Sequence, residues 1–347
     1  MSGTTLDLES LPFPVAYPLS YARDETLGAS DRVDNVFFAG YQAIRTAALL
    51  LLADYIECSE ACPQVSEAIR GLRLPHWKEW VELADTLARF WRGDYSQKPG
   101  RESRFPEIGA AWLGTARPNK LRSDGAWPTL LKGIAGGHGP AKGPVDALWQ
   151  ARNTHTHGTG TRTGDTKRDE DLLSRLLPLL ERMTVELFPP DGFTLMRKVS
   201  RTEAEGFHVI RLHGPHRDRR FEAEEIGEEW ASAFAMTGIA AMAGGEAVVV
   251  HPFFLPPGPD LSGAAADSGG LLEDLYLLDR VSEKKVVALG VLDERRLPES
   301  LAADVSAALL RKRVEFGLDA KATTRWSLAD WSAVTAGRLL AELSGRK

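Results

Sequence analysis

The side chains best suited to chemistry fall in Arg152-Asn153-Thr154-His155-Thr156-His157-Gly158. Histidine titrates near neutrality, so His157 suits removal of a hydroxyl proton without a metal. The guanidinium of Arg152 is planar and permanently charged, and can hold two phosphate oxygens as negative charge grows on them. Together they suit in-line attack of a ribose 2′-hydroxyl on the neighbouring phosphodiester, which leaves a 2′,3′-cyclic phosphate. Asn153 offers an amide with donor and acceptor ends, to orient a neighbour or bond a phosphate. His155, three residues after Arg152, shares its helical face more closely and is a rival base.

The two histidines at alternate positions could also suggest a metal, but their immediate neighbours are threonine and glycine, so no metal and no cofactor is expected. Cys58 and Cys62 lack a second pair to complete a zinc site and read as small buried thiols. His208, His213 and His216, with Arg211, Arg217, Arg219 and Arg220, could bind a phosphorylated ligand, although a solvated hairpin end fits the same pattern. His251 reads as a strand residue. Gly244-Gly245 and Gly269-Gly270 lack the strand-to-helix setting of a nucleotide loop.

The elements that must position the motif are helical. Pro144 opens a helix where proline is tolerated, with Val145, Leu148, Trp149 and Ala151 as its apolar side. On an ideal helix, five residues turn His157 well away from Arg152, so the two converge within one subunit only if the helix unwinds near 154–158. Ahead of it, spacings of three and four from Val33 to Tyr55 predict a long helix after the Ser30-Asp31 cap, and Pro75 to Trp91 predict another whose tryptophans are core. Ile108 to Leu113 and Trp127 to Ile134 read as short helices, 94–104 as a loop, and Gly136 to Pro140 as a breaker. Leucine periodicity predicts a helix from Asp169 to Phe188, kinked at Pro178. Residues 1–30, with Pro12, Pro14 and Pro18, are expected to be an extended lead-in.

After Pro189-Pro190 the period changes. Short runs at Phe193–Val199, Gly206–Leu212, Ala247–Leu255, Leu275–Val281 and Lys285–Leu292 predict strands, with Ser282-Glu283-Lys284 as a hairpin turn. A helix is expected over Glu222–Ala243, a mobile loop over Pro256–Gly270, and closing helices over Leu301–Phe316 and Leu328–Leu343. The fold class is therefore α+β: a lead-in (1–30), an all-α bundle (31–190), a strand-rich domain (191–297) and C-terminal helices (298–347).

Arginine, usually followed directly by a polar residue, with four to six residues between it and a histidine is the motif of the HEPN superfamily, and Arg152, Asn153 and His157 resemble it with four residues between. The lead-in Leu148-Trp149 and the trailing Gly158 are similar too. The resemblance covers roughly 31–190 and rests on this one motif in a helical setting. It implies an HEPN-like bundle, a metal-independent endoribonuclease, and His157 rather than His155 as base. It also implies a site shared by two copies of the motif, hence a homodimer or a partner with its own copy. A role in prokaryotic antiviral defence or as a toxin follows from the same resemblance. A noncatalytic HEPN-like adaptor for a protein or small ligand is the alternative, since the family includes inactive members.

The charge of −6 at first disfavours RNA, but distribution decides phosphate binding. Between Arg117 and Arg168 there are nine basic residues against three acidic ones, and Lys132, Lys142, Arg162, Lys167 and Arg168 are the expected RNA contacts. Residues 191–347 are expected to take a regulatory protein or activating ligand. The apolar run at Ala47–Ala53 ends too soon to cross a bilayer, and Met1 to Glu9 lacks a secretion signal's build, so a cytoplasmic protein with no membrane partner is expected.

Overall fold

A helix of 29 residues, α2 (Ala29–Glu57), forms the axis of the protein. The computed structural model describes residues 6–73, 75–116, 135–136, 139–141, 143–157, 166–201, 207–215, 224–226, 238–255, 275–281, 286–292 and 302–314. Helix α2 contains no proline and a single glycine, and from Gln42 to Ile56 every residue is buried. A helix apolar all round belongs inside a core or a membrane. Among the described residues α2 alone is long and apolar enough to span a bilayer, and 89% of its apolar window is buried within the protein.

Helices α1 (Phe13–Arg23), α3 (Pro63–Arg70), α4 (Trp77–Arg92), α5 (Pro106–Ala111), α6 (Pro144–His157) and α7 (Thr166–Leu187) accompany it. The tryptophans Trp77 and Trp80 of α4 are core, and Gly93 ends that helix in the left-handed conformation at φ 79°. Gly40 of α2 lies where three helices converge. A Cβ there would stand 3.2 Å from Leu148 Cδ1 of α6, 3.3 Å from Trp77 Cη2 of α4 and 3.7 Å from Leu180 Cδ1 of α7.

Two buried charges on α2 are fully engaged. The Asp54 carboxylate accepts from Arg101 Nη2 (2.5 Å), Arg104 Nε (2.8 Å), Ser103 Oγ (2.9 Å) and the Arg104 amide (3.0 Å). The irregular segment between α4 and α5 is folded around that anion. Arg45 donates from Nε to the Leu278 carbonyl at 2.9 Å and from Nη2 to the Leu277 carbonyl, with its guanidinium over the Tyr41 and Trp80 rings.

Strands follow from residue 194. β3 (Thr194–Arg201), β4 (Phe207–Arg211), β5 (Glu224–Ile226), β6 (Ile239–Ala243) and β7 (Glu246–Val249) form an antiparallel sheet of order β5-β4-β3-β6-β7. β8 (Phe254–Leu255), β9 (Tyr276–Val281) and β10 (Val286–Gly290) form a second, of order β10-β9-β8, and α8 (Ala302–Leu310) comes last. The two-residue strands β1 (Ala135–Gly136) and β2 (Gly139–Pro140) pair across the expected breaker.

Several expectations are corrected. The lead-in is not extended, because residues 13–23 are helical: Pro14 occupies a first-turn position, where its missing N–H costs nothing, and burial of Phe13, Val15 and Leu19 offsets the interior Pro18. A helix over 222–243 is excluded by β5 and β6 at its two ends, where pairing with β4 and β3 outweighs local pattern. The run at 247–255 is two strands in different sheets, separated by a turn at His251–Phe253. Helix α3 had no expected counterpart. The expected helices at 127–134 and 328–343, the loop at 256–270 and the turn at 282–284 lie outside the described residues.

The overall α+β order, helices first and strands later, is as the sequence predicts. The secondary structure changes at Leu187 to Thr194, but the core does not divide there. One cluster of buried side chains runs from Leu11 and Phe13 through α2, α4, α6 and α7 into Leu195, Ile239, Val248, Leu277 and Val305. A small second cluster of Met196, Val209 and Ala240 lies on the other face of the five-stranded sheet.

Candidate active site

Helix α6 starts as the sequence predicts, with Pro144 in its first turn and the Ala147 amide donating to the Gly143 carbonyl at 2.9 Å. Val145, Ala147, Leu148 and Ala151 are buried, and Leu148 reaches into the space left by Gly40. Because that glycine has no Cβ, α6 approaches α2 closely and its remaining faces are fixed by register. Polar side chains tie the turns together: Gln150 Nε2 donates to Asp146 Oδ2 and Thr154 Oγ1 to the Gln150 carbonyl, both at 2.9 Å.

Helical geometry continues through His157, so the unwinding that would bring Arg152 and His157 together within one protomer does not occur before that residue. Five residues on an unbroken helix leave the two side-chain directions about 140° apart. Arg152 is exposed and Asn153 half-buried. The side chain of His157 lies outside the described residues.

His155 points inward, toward the junction of three helices. Its Nε2 lies 3.6 Å from Asp34 Oδ1 of α2, its Nδ1 3.9 Å from Asp169 Oδ1 of α7, and its ring centroid 5.6 Å from that of Phe37. These separations are too long for hydrogen bonds, but each ring nitrogen faces a carboxylate, which orients the imidazole. Asp169 is itself buried. Nothing in the sequence signals this arrangement, since Asp34, His155 and Asp169 are separated in the chain and read as unrelated helix residues.

The contact between His155 and Asp169 brings the start of α7 to the end of α6. Lys167 and Arg168, both exposed, precede Asp169 at that start, and the acidic Glu170 and Asp171 follow it. Of the other expected RNA contacts, Lys132, Lys142 and Arg162 lie outside the described residues. One feature departs from the expected register: Trp149, assigned to the apolar side, is 36% exposed.

Elsewhere, His213 proves structural. Its Nε2 accepts from the Leu195 amide at 3.1 Å, which leaves Nδ1 to donate to the Ser10 carbonyl at 3.0 Å and fixes the neutral tautomer. Burial pushes its pKa down to about 4, and nearby Arg211 adds to this against the opposing Ser10 hydrogen bond. It is thus a clasp between the chain start and the five-stranded sheet, and neither a ligand-binding cation nor a solvated hairpin end. His216, Arg217, Arg219 and Arg220 lie outside the described residues.

Cys58 and Cys62 are buried free thiols at the α2–α3 turn, donating to Glu60 Oε2 (3.2 Å) and Gln64 Oε1 (3.1 Å). Among the described residues no group of three His, Cys, Asp or Glu side chains is arranged to hold a metal. No family model, no curated protein and no solved structure matches the chain.

Proposed function

We propose that the protein is a metal-independent endoribonuclease whose site is built from the α6 motif of two copies, in keeping with the resemblance to HEPN ribonucleases. The observation that carries this reading is the exposed Arg152 on the last turns of a helix anchored in the core. A permanent cation on a rigid element can hold a phosphate without reorganising.

In the proposed reaction a histidine takes the proton of the ribose 2′-hydroxyl as that oxygen forms its bond to phosphorus. The bond from phosphorus to the 5′-oxygen breaks, and the departing oxygen takes up a proton. The products are a 2′,3′-cyclic phosphate and a 5′-hydroxyl. Arg152 bonds the phosphate oxygens through this charge build-up, and Asn153 orients the phosphate. His157 is the base by its place in the motif, with His155 as its rival. An unbroken α6 keeps Arg152 and His157 of one copy apart, which supports the reading that Arg152 of one copy and His157 of the other act on the same phosphate. The HEPN resemblance further suggests an effector in antiviral defence or a toxin.

Single-stranded RNA incubated with the protein in EDTA is expected to be cut, and Arg152→Ala and His157→Ala each to lose at least about 100-fold in rate while retaining the parent's melting temperature. His155→Ala separates the two histidines. If it abolishes cutting and His157→Ala does not, His155 is the base; a double Arg152→Ala/His157→Ala variant that cuts like the parent removes the assignment altogether.

A further inference from the structure

We infer that Trp149 is a base-stacking subsite of the candidate active site, receiving a nucleobase of single-stranded RNA next to the phosphate held by Arg152. The inference rests on the ribonuclease reading above and adds to it a residue that selects the strandedness of the substrate.

The observation behind it is the placement of tryptophans among the described residues. Trp77, Trp80 and Trp112 are buried in the core, whereas Trp149 is one of three large hydrophobic residues exposed among the described residues, with Tyr21 and Val185. An exposed indole forgoes the burial for which tryptophan is otherwise used. Its position is not forced by a lack of alternatives on α6, whose inner face is already filled by Val145, Leu148 and Ala151.

Helical register sets what Trp149 accompanies. Arg152 and Asn153 follow it by three and four residues, which places them roughly 60° and 40° to either side of it and about one turn further along. This side of α6 thus carries a part-exposed indole, then a guanidinium and a half-buried amide. A nucleotide offers the complementary sequence, an unpaired base with two π-faces attached to an anionic phosphate. Aromatic stacking accepts any base, but only where the base is not already stacked within a duplex. The adjoining start of α7 carries the exposed Lys167 and Arg168 but also Asp169, Glu170 and Asp171, so the cation of this face is Arg152 itself.

The test is binding of a 2′-O-methyl single-stranded RNA, which cannot undergo transesterification, measured by anisotropy for the parent, Trp149→Ala, Trp149→Phe and Arg152→Ala. Trp149→Ala is expected to weaken binding by about 10- to 100-fold, Trp149→Phe to keep most of the affinity, and a fully paired duplex to bind weakly and alike to both. Melting curves check that the variants fold. If the parent binds and Trp149→Ala binds equally well while Arg152→Ala does not, the stacking subsite is wrong and the ribonuclease reading stands. If the parent neither binds this strand nor cuts unmodified RNA, the ribonuclease reading fails and the subsite with it. Loss of self-association in Trp149→Ala at unchanged RNA affinity would assign the indole to contact with a second copy and overturn the inference.

Discussion

Arg152 and His155 stand three residues apart on the same helix, yet their surroundings give them different capacities. Arg152 is exposed, whereas the side chain of His155 is only 19% exposed and faces a carboxylate on each side. A base held in that way is well oriented but offers little of its surface to a substrate. His213 shows how different a histidine becomes when both nitrogens are engaged by backbone. The unfolded chain takes up a proton on this ring near the ordinary 6.5, but the folded chain resists until about pH 4. Between those values the unfolded state binds more protons, so the stability contributed by neutral His213 is complete above 6.5 and is lost as pH falls toward 4. The loss should be on the order of 2–3 kcal/mol. Chemical denaturation from pH 7 to 4.5 is expected to show this slope, and His213→Phe to flatten it; an unchanged slope in that variant would remove His213 as its source.

At the scale of elements, the decisive contact is the passage of α6 over α2 at Gly40. Substitution by alanine improves helix propensity by about 1 kcal/mol but places a methyl group within 3.2–3.3 Å of Leu148 and Trp77, so the two effects nearly cancel. Valine adds bulk with no space to receive it, and is expected to destabilise by about 1–3 kcal/mol and to lower the proposed RNA cleavage more than a remote substitution of equal cost. Urea denaturation and initial cleavage rates for Gly40→Ala and Gly40→Val would check this. Cleavage that tracks stability alone would show that the seating of α6 does not matter to the site. A turn after β4 demands glycine for a different reason: Gly214 has φ 80°, a backbone conformation that side-chain-bearing residues rarely adopt.

Across the whole molecule, the helices and sheets share one core and are fastened at several points. Arg45 joins α2 to β9, the Val249 amide donates to Glu57 Oε1 at 3.2 Å, and the chain start joins the five-stranded sheet through the Phe13 amide to the Leu212 carbonyl at 2.9 Å. Arg45→Met removes the buried guanidinium and leaves two strand carbonyls without it, at an expected cost of about 2–4 kcal/mol. Circular dichroism of the helices and tryptophan fluorescence should report a single coincident unfolding transition in the parent. Two separated transitions would mean that helices and sheets are stable apart, and would contradict the shared core.

Hydrophobic period and helix caps are local, so α2, α4, α6, α7 and most strands were legible in the sequence, together with the helix that carries Arg152, Asn153, His155 and His157. Local pattern failed where long-range contacts outweighed it. Burial made a helix of the proline-bearing segment at 13–23, and cross-strand pairing made strands of 224–226 and 239–243. Of the site, the sequence determined which residue types stand together on one helix. Only the tertiary structure decided which way they face, because direction depends on how a helix is seated against its neighbours: Leu148 inward at Gly40, His155 toward Asp34 and Asp169, and Trp149 and Arg152 outward to solvent.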